Sequence, residues 1–143
     1  MDVVNLMRKG EFFFADCIAI TGMGVFGYHL IDRKLVLDNG LCVDPNDTTD
    51  IFESFALSIG GAVYAGGEAA AHGSCGYFSK WVGGALKWAL MSLDSDPFVN
   101  VQQRGKTIAF VSSSGSVWLV TEGESGLEIT IESSGSRGGC SGI

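Results

Sequence analysis

Positive charge is scarce in this chain. Its 143 residues include nine Lys and Arg against sixteen Asp and Glu, which gives a formal net charge of −7. Proteins bind DNA or RNA backbones through cationic contacts to phosphates, so this balance argues against a nucleic-acid ligand. The same charge balance argues against binding to anionic membrane surfaces. A basic protein partner would instead be attracted, because complementary charge raises the rate and specificity of association.

Metal ligands are also few. The chain has two His and four Cys, and Cys17, Cys42, Cys75 and Cys140 are scattered without a Cys-x-x-Cys spacing. Zinc sites use closely spaced pairs of such residues, and no pair here has that spacing. Scattered cysteines in a cytosolic chain stay reduced, and Cys17 lies in an apolar run where burial is expected. We therefore predict no metal, no cofactor and no disulfide.

The sequence lacks a secretory signal and an uninterrupted apolar run. Its least polar region, residues 56–93, is broken by Glu68, His72, Lys80 and Lys87. A charge at the centre of a bilayer costs about 2.5–3.5 kcal/mol. At the N-terminus the basic residues follow the first apolar residues instead of preceding a longer apolar core. We expect a soluble, cytoplasmic protein that does not bind membranes.

A dinucleotide-binding fingerprint begins near the N-terminus but does not continue. The run Gly22-Met23-Gly24-Val25-Phe26-Gly27 follows an apolar stretch at residues 17–20. In a nucleotide-binding unit the third glycine opens a crossover helix, which needs a dozen or more residues. Here the next strand-like stretch starts already at Leu35. The glycines are therefore predicted to form the bend of a β-hairpin.

Two regions have the pattern of β-strands. In the first, residues 12–20 read as one long run, residues 25–31 and 34–37 as two more, and Asp38-Asn39-Gly40 as a turn. In the second, period-two alternation between short glycine turns predicts an antiparallel meander. Its strands are predicted at residues 98–102, 107–111, 117–120 and 127–132.

A first helix is predicted between these regions. Asp50 and Glu53 have the spacing of a capping box, and Ile51, Phe55 and Ile59 recur every four residues as one apolar stripe. The Gly- and Ala-rich residues that follow are expected to end this helix, because each glycine costs a helix up to about 1 kcal/mol.

A second helix is predicted from Tyr77 to Leu93. Phe78, Trp81 and Trp88 mark its broad apolar face. Strands, then two helices, then a meander give an α+β fold, with N-terminal β-hairpins and the C-terminal meander packed against the helices. We predict one domain over residues 1–132 and a flexible Ser- and Gly-rich tail over residues 133–143.

His72 and Cys75 are the best candidates for catalysis. A thiol needs a nearby base or cation to lower its pKa before it acts as a nucleophile. On a helix these two residues would share one face, but Gly73 and Gly76 disfavour a helix there. No third residue that would orient the histidine is evident, so no catalytic residue is assigned.

Acidic side chains are the stronger functional signal. General acid–base chemistry requires a carboxyl group whose pKa is raised by burial, whereas the acidic pairs here fall in turn-like, solvated segments. A meander that presents them on an exposed face would instead offer an acidic patch to a basic cleft. The predicted partner-binding residues are Asp94, Asp96, Glu122, Glu124, Glu128 and Glu132.

The leading hypothesis is a non-catalytic, acidic protein-binding module. Its size, charge and lack of a catalytic motif are similar in general character to bacterial immunity proteins, so the predicted partner is a basic, cytoplasm-acting toxin whose active site it occludes. The first alternative is a small enzyme or ligand-binding protein that uses His72 and Cys75 or the Gly22–Gly27 loop. The second is a structural subunit of an oligomer, such as a homodimer. Its interface would be anchored by Trp81, Trp88 and Trp118.

Overall fold

The structure, a computed structural model, describes residues 2–38, 43–69 and 75–132. Within these ranges the chain forms one short helix and a sheet of twelve strands whose pairings are all antiparallel. The elements are α1 (Val3–Arg8), β1 (Glu11–Phe13), β2 (Cys17–Ile20), β3 (Gly24–Ile31), β4 (Lys34–Leu37), β5 (Thr48–Ile59), β6 (Ala62–Ala69), β7 (Gly76–Val82), β8 (Ala85–Ser92), β9 (Phe98–Arg104), β10 (Thr107–Ser112), β11 (Val117–Gly123) and β12 (Gly126–Ile131).

The sheet is curled, and strand β3 belongs to both of its halves. The strand order is β1-β5-β6-β7-β8-β2-β3-β4-β12-β11-β10-β9. Residues 24–27 of β3 pair with β2, and residues 28–31 pair with β4. We call the strands from β1 to β2 the first half and those from β4 to β9 the second half. The halves meet again where β9 lies against β5, β6 and β7.

The main core lies between the two halves. Both contribute apolar side chains to it, and the rings of Phe78 in β7 and Phe110 in β10 stack across it at 4.0 Å between centroids. The side chains of β8 point alternately into this core and into a second one, because successive side chains of a strand lie on opposite faces. Trp88 and Leu90 face the main core, whereas Met91 belongs to an outer cluster covered by α1.

The predicted α+β class is wrong, because the first predicted helix is strand β5 and the second is the strand pair β7 and β8. Residues 48–59 form β5, and a spacing of four places Phe55 and Ile59 on one face of a strand as well as of a helix. The doublets Gly60-Gly61 and Gly83-Gly84 join β5 to β6 and β7 to β8 in two-residue turns. All four glycines have positive φ, between 59° and 86°, as hairpin turns of this length require.

Two other predicted elements are confirmed, and one predicted run is in fact two strands. The hairpin at the glycine fingerprint is confirmed, since residues 21–23 connect β2 to β3, and the C-terminal meander is confirmed as β9 to β12. The run at residues 12–20 is not one strand: β1 pairs with β5, whereas β2 pairs with β3 and β8. The turn residues 39 and 40 and the predicted tail at residues 133–143 lie outside the described residues.

A glycine lies where two strands approach too closely for a side chain. The ladder between β5 and β6 contains an irregularity between Glu53 and Phe55, and Gly67 pairs with Glu53 beside it. A Cβ atom at Gly67 would lie 1.9 Å from the carbonyl oxygen of Phe52 and 2.8 Å from the amide nitrogen of Ser54. The backbone of β5 thus occupies the space that any larger residue would need.

Candidate functional site

A cleft of about 400 Å³ opens between the two halves of the sheet. One wall comes from β3, from the loop before β2 and from the loop after β8, and the other comes from β11 and β12. Lys and Arg are absent from the described residues that line it. Its polar lining consists of Asp16, Tyr28, His29, Ser92, Asp94, Ser95 and Ser116.

Asp16 is the most perturbed carboxyl group in the cleft. Burial raises its pKa, a hydrogen bond from the Leu93 amide opposes the shift, and the nearby charge of Asp94 raises the pKa further. The Leu93 nitrogen donates to Oδ1 of Asp16 at 2.8 Å. Sequence reasoning did not select Asp16. The available signal was a single acid between the apolar residues 12–15 and 17–20.

Tyr28 and Ser95 supply buried hydroxyl groups. The Tyr28 hydroxyl donates to the carbonyl oxygen of Met91 at 2.9 Å, and burial, followed by the charge of Asp16, raises the pKa of this phenol. Ser95 is 7% exposed, and its Oγ has no hydrogen-bond partner in the described part of the chain. An unpaired buried hydroxyl costs about 1–3 kcal/mol, so a ligand that paired with it would recover that cost.

His29 lies at the exposed side of the cleft. It is part of β3, and its Nδ1 forms a hydrogen bond with a carboxylate oxygen of Asp38, which follows β4. This partner fixes one ring nitrogen and the orientation of the imidazole.

Three of the predicted partner-binding carboxylates already have cationic partners. Glu128 lies 3.3 Å from the Lys34 ammonium group, and Glu132 lies 2.9 Å from the Arg104 guanidinium group. Glu122 pairs with Lys80 of β7, in the first half. The negative potential of the meander is therefore partly neutralised by the protein itself.

Glu122 ties the two halves of the sheet together. It accepts hydrogen bonds from Lys80 in β7 and from the Trp88 indole in β8, the latter at 3.3 Å. The Lys80 nitrogen also lies 5.8 Å from the centre of the Tyr64 ring. Burial lowers the pKa of Lys80, but the hydrogen bond and charge of Glu122 outweigh it and raise that pKa. This arrangement indicates a structural role for Glu122.

The structure separates the predicted acidic residues instead of grouping them. Asp94 lines the cleft at the end of the molecule where β11 begins, next to Ser116. Glu122 lies six positions further along β11, roughly 20 Å away at the usual rise of a strand. Glu124 is exposed in the turn after β11, and Asp96 is not among the residues that line the cleft. Only Asp94 of the predicted set belongs to the cleft.

The residues of the first alternative hypothesis are placed differently. His72 lies outside the described residues. Cys75 is 2% exposed, and burial together with the charges of Asp16 and Asp94 raises the pKa of its thiol. A raised pKa reduces the thiolate fraction and so disfavours nucleophilic attack.

The glycine loop borders a second cavity. This cavity, of about 570 Å³, lies between α1 and the turn that joins β2 to β3, and Gly22 and Gly24 are part of its lining. The remaining lining is mostly apolar, including Val3, Val4 and Leu86. Its volume lies within the range of about 300–1,000 Å³ that is usual for small-molecule sites.

The tryptophans of the second alternative are not available as predicted. Trp88 and Trp118 are each 3% exposed and pack in the main core, so the prediction that they anchor an interface is wrong. Trp81 is partly exposed and packs against the outer cluster, with its indole nitrogen donating to Ser79 Oγ at 2.9 Å.

The described residues contain no helix long and apolar enough to cross a bilayer. The same residues form no group of three or more His, Cys, Asp or Glu side chains arranged to hold a metal ion. Comparison of the chain with models of known protein families, with curated proteins and with solved structures gives no match.

Proposed function

We propose that this protein is a non-catalytic binding module that presents negative charge to a basic protein partner. The contact is centred on the cleft that contains Asp16 and Asp94. The observation that supports this most strongly is the distribution of ion pairs: three meander carboxylates have cationic partners, whereas the described residues place no Lys or Arg in ion-pair contact with either cleft carboxylate.

Resident ion pairs change what a partner gains from each carboxylate. A cation that approached Glu128 or Glu132 would compete with Lys34 or Arg104, and exposed pairs of this kind are worth only about 0–1 kcal/mol. At the cleft no such competitor is present in the described chain. The net charge of −7 adds long-range attraction, which increases the association rate with a basic protein.

The identity of the partner stays a prediction. The similarity to immunity proteins depends on size and charge, and neither the fold nor the comparisons add support for a toxin as the partner. The cytoplasmic location of the present protein is likewise a prediction.

The proposal is tested by the binding of a hexa-arginine peptide to charge variants. We expect Asp94→Asn to weaken binding more than Asp96→Asn or Glu128→Gln, although each variant removes the same charge. Isothermal titration calorimetry at low salt and at about 0.3 M salt measures the effect, and the affinity should fall as salt screens the charges. Equal losses in all three variants would mean that only net charge matters, and would contradict a site at the cleft.

The second cavity favours small-ligand binding as another candidate function. We propose that it accepts a small apolar molecule, because its volume and its mainly apolar lining match the usual properties of ligand sites. Val4→Phe adds volume inside this cavity and should abolish enhancement of 8-anilinonaphthalene-1-sulfonate fluorescence. The opposite change, Val4→Ala, keeps the cavity open and should retain it. No enhancement with the unmodified protein, or the same enhancement in both variants, would refute this function.

A further inference from the structure

We infer that the cleft is a binding site for one guanidinium group, supplied by an arginine side chain of the partner. This inference rests on the proposed function and makes it specific. It is carried by the set of hydrogen-bond acceptors in the cleft, by the absence of Lys and Arg from its described lining, and by a buried hydroxyl group that has no partner there.

The cleft offers several acceptors to a cationic donor. Asp16 receives one hydrogen bond, from the Leu93 amide to Oδ1, and a carboxylate has acceptor positions for more. Asp94 is exposed and is close enough to Asp16 to influence it electrostatically. The Ser95 hydroxyl adds a further acceptor on the same wall. A cation placed among these groups would relieve the repulsion between the two carboxylates.

A guanidinium group matches these acceptors better than an ammonium group. Guanidinium has five N–H donors in a planar fork, whereas ammonium has three donors around a point charge. Two carboxylates and one hydroxyl group can thus be contacted at the same time, with charge-assisted hydrogen bonds to the acids. The apolar side chains of Leu30, Trp118 and Ile131, which also line the cleft, provide surface for the methylene stem.

The experiment compares two model compounds that differ in charge but not in shape. N-acetyl-arginine methylamide carries the guanidinium group, and N-acetyl-citrulline methylamide replaces it with a neutral urea group. In a two-dimensional NMR titration of the whole chain, the arginine compound should shift the Ser95 amide and the Trp118 indole signals and reach saturation. The citrulline compound should bind about tenfold more weakly or not at all, which is the loss expected for one charge-assisted hydrogen bond.

Matched variants locate the site. Asp94→Asn and Asp16→Asn should each reduce the affinity for the arginine compound by about tenfold. Asp96→Asn removes the same charge two positions away, outside the cleft lining, and should leave the affinity within about twofold. Asparagine retains an acceptor for the Leu93 amide at position 16. The comparison of arginine with citrulline needs no variant and so stays decisive even if a variant fails to fold.

The failures of the inference and of the proposed function are distinguishable. Equal binding of the arginine and citrulline compounds, or shifts confined to residues outside the cleft, would overturn the inference. If hexa-arginine still bound with the dependence on Asp94 described above, the proposed function would stand. Tighter binding of free butane-1,4-diamine than of the arginine compound would assign the cleft to a small amine and would also overturn the inference. If neither hexa-arginine nor the arginine compound bound, both would fail.

Discussion

Replacement of Gly67 by Ala tests how closely β5 and β6 approach at the irregular point of their ladder. The added Cβ would lie 1.9 Å from the Phe52 carbonyl oxygen, whereas a carbon and a carbonyl oxygen normally approach to about 3.3 Å. The two strands must therefore separate by more than about 1 Å, which no rotation of a side chain can prevent.

The expected loss of stability follows from this displacement. Overpacking costs about 1–3 kcal/mol, and one or two weakened ladder hydrogen bonds add about 0.5–1.5 kcal/mol each. Alanine also lowers the conformational entropy of the unfolded chain, which offsets about 0.4–1 kcal/mol of this destabilisation. We expect a net destabilisation of about 3 kcal/mol, a large part of the 5–15 kcal/mol that is usual for a domain.

Urea unfolding followed by tryptophan fluorescence measures this loss, because Trp88 and Trp118 are buried in the main core. Gly123→Ala is the matched control. Gly123 has no positive φ, and a Cβ there would have no atom within 4 Å outside its chain neighbours. Its substitution should change the free energy of unfolding by less than about 1 kcal/mol. If Gly67→Ala and Gly123→Ala unfolded at the same urea concentration, the close approach of the two strands would be refuted.

Three further predictions concern charge and backbone conformation. Burial raises the pKa of Asp16 above 3.8, so folding favours the protonated carboxyl group. The stability that this group contributes is lost as the pH rises through the folded-state pKa. Asp16→Asn should therefore be more stable than the unmodified protein near neutral pH, and urea midpoints should show this advantage vanish below pH 3.8. Lys80→Met should destabilise the protein by about 1–2 kcal/mol, and a double-mutant cycle with Glu122→Gln should show coupling; additive effects would exclude a stabilising contact. Arg33 has a φ of 64° in the turn between β3 and β4, so Arg33→Gly should raise the thermal midpoint by an amount equivalent to about 0.5–1 kcal/mol. Lys106→Gly is its control, since Lys106 lies in a similar two-residue turn without a positive φ, and equal effects would contradict this reasoning.

Local patterns made part of the fold predictable. The meander β9 to β12 and the hairpin β2–β3 combine alternating side chains with short turns, and both signals lie within a few neighbouring residues. The glycine doublets at residues 60–61 and 83–84 are equally local signals, but the helical prediction ends at the first doublet and runs through the second. They are the turn residues that two-residue hairpins prefer, and this interpretation would have predicted strands on both sides.

The candidate site was much less predictable. Asp94 was selected for its charge, whereas Asp16, Tyr28 and Ser95 were not selected. Asp16 reaches the Leu93 amide only because β2 pairs with β8, a contact between residues 77 positions apart. Nothing in a short stretch of sequence indicates which distant segments a sheet will bring together. For the same reason, the lysine and arginine partners of the meander acids could not be anticipated.

The weak pairing of β4 with β12 has a mechanical consequence. The described residues join the β3–β4 hairpin to the meander through a single register pair, Thr130 with Lys34, and a backbone hydrogen bond from the Ile131 amide to the Arg33 carbonyl oxygen. The cleft lies beside this narrow connection, with Asp16 on one wall and Trp118 on the other. A molecule that binds both walls should resist opening of this connection. It should therefore raise the melting temperature by an amount that grows with the logarithm of its concentration relative to its Kd.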